Sequence, residues 1–122
     1  MNIKFIDTQV SKLNLNANYL ENNTDSEDYN FSFSPVFSET DLSEFLIIFN
    51  LSLNGEDFSL VIEYAARFSV DEIVDEGFKT SNFVKINAPA IAYPFLRTYI
   101  SNLTLNSGFS PIILPVINFT AL

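Results

Sequence analysis

The closing third of the chain, Asn87 to Leu122, most narrows what this sequence can fold into. It reads N-A-P-A-I-A-Y-P-F-L-R-T-Y-I-S-N-L-T-L-N-S-G-F-S-P-I-I-L-P-V-I-N-F-T-A-L. Asn87 suits a helix cap, and Pro89 suits the first turn, where a missing N–H is no loss. Phe95, Leu96, Tyr99, Ile100 and Leu103 follow at spacings of three and four. This spacing predicts an apolar helical stripe that runs to about Leu105 and ends at Gly108. Pro94 lies inside that helix, where its ring removes a donor and clashes with the preceding turn, so a kink is expected there. The run from Phe109 to Phe119 then packs Ile112, Ile113, Leu114, Val116 and Ile117 too densely for a solvated tail.

Upstream, the pattern changes to the two-residue period of strands. Ile3 to Asn18 alternates weakly through Ile3, Phe5, Val10, Leu13 and Leu15, which predicts a strand with a bulge where the phase changes. Glu21 to Asp28 reads as a solvated turn. Tyr29, Phe31 and Phe33, then Pro35-Val36-Phe37, form a second strand, and Leu42 to Leu53 a third around Phe45-Leu46-Ile47-Ile48-Phe49. Asn54-Gly55-Glu56-Asp57 predicts a hairpin, since Asn-Gly readily takes the positive φ of a tight turn. The returning strand, Phe58 to Phe68, puts Phe58, Leu60, Ile62 and Tyr64 on one face and Ser59, Val61, Glu63 and Ala65 on the other. Ser69 to Lys79 is an acidic connection ending at Gly77, where Asp71, Glu72, Asp75 and Glu76 place like charges at helical spacing. A calcium loop would interleave oxygen ligands around a glycine, which this order does not. Four strands followed by a helix predict an α+β fold. It has a four-stranded antiparallel sheet with one main helix packed on it, as a single domain over residues 1–122.

Composition narrows the chemistry. Fifteen acids against six bases give a formal charge of −9, which disfavours nucleic acid and anionic lipid as partners. The chain has no cysteine and no histidine. Thiol chemistry, thiolate metal sites and the commonest general base are therefore missing. Serines and threonines have no histidine to activate them, and no Gly-rich phosphate loop adjoins Lys4, Lys12, Lys79 or Lys85. Glu63 is the one carboxylate placed for a shifted pKa, and a strand glutamate facing solvent is its plainer reading. The expectation is a non-enzyme with no cofactor and no metal. The N-terminus lacks the pattern of a signal peptide and no run reaches the length of a membrane span, so the expected location is cytoplasmic, without membrane insertion.

The closing third also resembles the SecB family of bacterial preprotein-export chaperones. Tyr93-Pro94-Phe95 matches the family's aromatic-Pro-aromatic element, and Arg97 its basic position, with Thr98 in place of the usual acid. Ile100, Ser101 and Leu103 fit the helix, and Gly108-Phe109 the break, with Ser110 displacing one proline and Pro111 following. Ile112, Leu114, Pro115 and Ile117 fit the extended run, where Val116 replaces a common second proline. Asn118-Phe119-Thr120-Ala121-Leu122 completes it.

The resemblance implies a SecB-like fold and an ATP-independent holdase that binds unfolded polypeptides in an apolar groove. The segment after the helix would form part of its wall. The candidates are Tyr93, Phe95, Phe109, Ile112, Ile113, Leu114 and Phe119, each equally at home in an ordinary core. The related chaperones are dimers of dimers, so Phe58, Leu60, Ile62 and Tyr64 form either an inter-subunit contact or a core face under the helix. Family members usually continue into a second helix and a tail that docks on the translocase motor. This sequence closes at Leu122 before either, which favours a dedicated partner such as an antitoxin over general export. The alternative is a non-chaperone structural or adaptor module that keeps the fold as a homo-oligomer.

Overall fold

The computed structural model describes residues 2–18 and 28–121. Strands β1 (Ile3–Ala17), β2 (Asp28–Phe37), β3 (Glu44–Asn54) and β4 (Phe58–Val70) form one antiparallel sheet in the order β1-β4-β3-β2. The expected α+β architecture is present. The solvated turn read at Glu21 to Asp28 lies outside the described residues, apart from Asp28, which opens β2.

Strand phase follows side-chain chemistry. Phe45, Ile47, Phe49 and Leu51 on β3 share a face with Leu60, Ile62, Tyr64, Ala66 and Phe68 on β4. Phe31 and Phe33 on β2 lie on that face too, opposite Leu51 and Phe49. β1 joins it by slipping twice. The register shifts between Phe5 and Asp7 and again between Val10 and Lys12. Each extra residue restores the phase, so Phe5, Val10, Leu13 and Leu15 all oppose helix-side residues of β4. The weak alternation in the sequence is thus two bulges. The opposite face is more polar, and there Arg67 makes a two-point hydrogen bond to Asp7 at 3.2 and 2.6 Å.

The β3–β4 hairpin falls where Asn54-Gly55 places it, but the turn is built differently. Neither Asn54 nor Gly55 has a positive φ. Residues 55–57 spread the reversal, closed by the Gly55 N–H donating to the Phe58 carbonyl at 3.0 Å. A longer loop needs no residue in the left-handed region. Gly77 does not end the acidic connection either. It sits inside a short helix, α1 (Glu76–Lys79), whose first turn is capped by the Asp75 carboxylate accepting from the Phe78 N–H at 2.8 Å.

The main helix, α2, spans Ala88–Asn106 and continues through Pro94. Asn87 makes no side-chain cap and is itself helical, because a π-helical turn (Phe83–Asn87) leads directly into α2. The Ala88 N–H already donates to the Phe83 carbonyl, so the first donor needs no cap. At the other end Gly108 adopts φ 94°. Its N–H donates to the Leu105 carbonyl at 3.2 Å and that of Phe109 to the Thr104 carbonyl at 3.0 Å, which closes a Schellman motif. A Cβ at Gly108 would meet nothing within 4 Å. Gly108→Ala therefore isolates the conformational cost, and chemical denaturation should show a loss of about 1 kcal/mol.

Ala92, Tyr93, Leu96, Ile100 and Thr104 face the sheet and are buried. The stripe expected through Phe95, Tyr99 and Leu103 is rotated, with Tyr99 and Leu103 half-buried and Phe95 exposed. Phe58, Leu60, Ile62 and Tyr64 are 7, 0, 1 and 4% exposed within the single chain. This corrects the inter-subunit reading of that face. Sheet geometry turns it toward α2 and the closing segment, where Tyr64 meets Tyr99 and Phe58 meets Phe109. No helix among the described residues is long and apolar enough to cross a membrane.

Candidate functional site

After Gly108 the chain reverses and runs back along α2 as an extended strap, residues 110–118, without regular secondary structure. Four helix side chains, each about one turn from the next, meet its backbone. The Tyr93 hydroxyl donates to the Pro115 carbonyl at 2.6 Å and the Arg97 Nε to the Leu114 carbonyl at 3.1 Å. The Ser101 hydroxyl donates to the Ile112 carbonyl at 2.7 Å, and the Thr104 hydroxyl accepts from the Ile112 N–H at 2.9 Å. Leu114 is thereby held inward at 2% exposure and Ile113 outward at 76%.

Between the strap and the β3–β4 hairpin lies a depression of about 410 Å³. Its apolar surface comes from Tyr29, Leu53, Phe58, Ile112 and Leu114, with Pro111 and Pro115 along the strap. Asp28, Glu56 and Asp57 line it, and among the described residues no lysine or arginine does. An apolar hollow with a carboxylate rim accepts aliphatic or aromatic side chains from a chain that also carries basic groups. A second hollow of about 410 Å³ lies on the outer sheet face beside Val36, Leu46 and Ala65. There Arg67, the one lining cation among the described residues, is paired with Asp7, and Asp41 and Glu44 also line the hollow.

The residues expected to form a groove separate into groups. Ile112, Ile113 and Leu114 line the depression together. Phe109 adjoins it, its ring 4.6 Å from that of Phe58. Tyr93 and Phe119 are core residues at 3 and 5% exposure, packed edge-to-face on each other. Tyr93 touches the site only by gripping the strap. Phe95 lies elsewhere, stacked on Phe5 of β1 at 4.7 Å. Sequence reasoning missed Tyr29, Leu53 and the acidic rim. The available signal was the Glu56-Asp57 pair directly before Phe58, which reads as an ordinary polar turn.

Burial raises the Tyr93 phenol well above its ordinary 10.0, and the adjoining Tyr29 hydroxyl adds to the rise. Tyr29 is raised as well, first by burial and then partly offset by its hydrogen bond with Tyr93. The folded state therefore holds these protons more tightly than the unfolded chain. The stability they contribute is complete below pH 10.0 and is lost as pH rises beyond it. Melting temperatures should be level from about pH 7 to 9 and fall above about pH 10, with a shallower fall in Tyr93→Phe.

The SecB family model, described as preprotein translocase subunit SecB, matches residues 12–122. The protein-export protein SecB of Anaplasma phagocytophilum is 38% identical over 66 residues, which cover 53% of this chain and 42% of that protein. Its counterpart from Dinoroseobacter shibae is 31% identical over 86 residues, 65% of this chain and 49% of the relative. The matched stretch thus spans less than half the length of either relative. Among solved structures, a Mycobacterium tuberculosis SecB-like chaperone in complex with a ChAD peptide from the HigA1 antitoxin superposes with a TM-score of 0.72. It covers 95% of this chain and 90% of that one at 16% identity. A Streptococcus agalactiae protein of unknown function gives a TM-score of 0.56 at 14% identity, covering 95% and 98%.

Proposed function

Because this chain belongs to the SecB family, we propose that it is an ATP-independent holdase that keeps client polypeptides extended. The observation that carries this reading is the acid-rimmed apolar depression between the strap and the β3–β4 hairpin. Client side chains enter the apolar floor, while Asp28, Glu56 and Asp57 favour segments bearing lysine or arginine. No step needs a nucleotide, a metal or a catalytic residue. The net charge of −9 keeps a loaded complex soluble, and the cytoplasm is where such clients would be met. A dedicated client fits the same groove, as the antitoxin peptide on the mycobacterial fold neighbour suggests. The test is dilution of a chemically denatured reporter protein into a stoichiometric amount of this protein without ATP. Suppressed light scattering supports the reading; unchanged scattering with no peptide binding sinks it.

One feature favours self-association as well. Ile91, Phe95 and Leu105 on the outer side of α2 are 44, 47 and 57% exposed, at positions that share one helical face. With exposed Thr98 and Asn102 between them, these three give a partly apolar face suited to a second copy, giving a dimer or tetramer. On the adaptor reading, oligomer contacts would close the depression. Solution mass with and without client peptide separates the two, because a holdase binds peptide at constant oligomer size.

A further inference from the structure

We propose that Tyr93, Arg97 and Ser101 are positioning residues that set the width of the client groove by fixing its strap wall to α2. The proposal rests on the holdase reading above. One wall of the depression, the β3–β4 hairpin, belongs to the sheet and is held by its backbone ladder. The other wall has no ladder. It hangs on side chains, and their order along the helix (93, 97, 101) runs opposite to the carbonyls they meet (115, 114, 112). That antiparallel order pins both the register and the distance of the strap. Alternation within the strap then follows, with Leu114 turned inward and Ile113 left at the outer rim.

A core needs only that Leu114 be buried, and its packing alone would achieve that. Three hydroxyl or guanidinium donors aimed at three strap carbonyls do something further. They satisfy carbonyls that water would otherwise solvate, and they remove the strap's freedom to slide along the helix. The gap available to a client therefore depends on the reach of a tyrosine, an arginine and a serine. Gly108, at φ 94°, lets the chain turn back at the distance those side chains span.

The variant Tyr93→Phe with Ser101→Ala removes two of these bonds while leaving the side-chain shapes nearly unchanged. The probe is a fluorescein-labelled, permanently unfolded peptide of alternating aromatic and lysine residues separated by glycine and serine. Two quantities are read on the full chain: amide exchange in residues 109–117, and the peptide dissociation rate. With two bonds lost at about 1 kcal/mol each, strap amides should exchange roughly thirtyfold faster in the double variant. The peptide should leave several-fold faster, while the cooperative melt is retained. Ser101→Thr on the Tyr93→Phe background keeps a hydroxyl and should recover much of both effects, which a general loss of stability would not. Unchanged strap exchange overturns the proposal, as does faster exchange with unchanged dissociation. Wild-type protein that fails to bind the peptide overturns the holdase reading and the groove role together. Binding by wild type with no difference in the variant overturns the positioning role alone.

Discussion

Phe45→Ala should cost the fold about 3–5 kcal/mol, the largest loss expected of any single truncation considered. Phe45 is 1% exposed on β3. Its ring stacks on Phe68 of β4 at 5.2 Å and meets Phe37 of β2 at 5.9 Å. Phe78 of α1 and Phe83 of the π turn stand edge-on to it at 5.6 and 6.5 Å. Five elements thus share one ring, and aromatic neighbours cannot collapse far into the space it would leave. The sheet fixes three of them by its ladder, so the cavity persists and its cost adds to the lost transfer energy. Urea unfolding should show the full drop, with Val61→Ala as the control. Val61 is 42% exposed on the outer sheet face, and its truncation should change stability by less than about 0.5 kcal/mol.

The second large effect comes from a polar residue. Thr104→Val is expected to cost about 1–3 kcal/mol although the two side chains have the same shape. Thr104 is fully buried, donates to the Ile100 carbonyl at 2.8 Å and accepts from the Ile112 N–H at 2.9 Å. The Ile100 carbonyl is a helix acceptor and loses only a second donor. The Ile112 N–H has no such reserve, and valine would leave it facing methyl groups. Thr104→Ser keeps the hydroxyl and should cost clearly less. A Thr104→Val protein as stable as wild type would mean that water reaches the strap backbone there.

These two residues also mark what a sequence can disclose. Phe45 is legible because Phe45-Leu46-Ile47-Ile48-Phe49 is an unbroken apolar run at the centre of its strand, too dense to be left in solvent. Thr104 is not. It breaks the apolar stripe of its helix, and its partner is a backbone amide, which has no residue type to recognise. The same holds for Arg97 and Ser101. Both match the family pattern, but their partners are the carbonyls of Leu114 and Ile112, which any residue supplies equally well. The hairpin position was legible from Asn54-Gly55, whereas its turn geometry depended on loop length. Of the candidate groove residues, the Ile112 to Leu114 stretch lines one wall. The opposing wall, Leu53 and Glu56 to Phe58, is more than fifty residues away in sequence and meets the strap only through the sheet. Phe95 and Phe119 belong to an apolar segment that packs in three places, and density of aromatics alone does not say which.

The most direct measurement is amide exchange of the full chain with and without the unfolded aromatic–lysine peptide. Protection should appear together in residues 53–58 and 110–116, the two walls of the depression, and should weaken when Glu56 and Asp57 are replaced by lysine. Protection confined to the outer sheet face around Leu46 and Ala65, or none at all, would contradict a client groove at the strap.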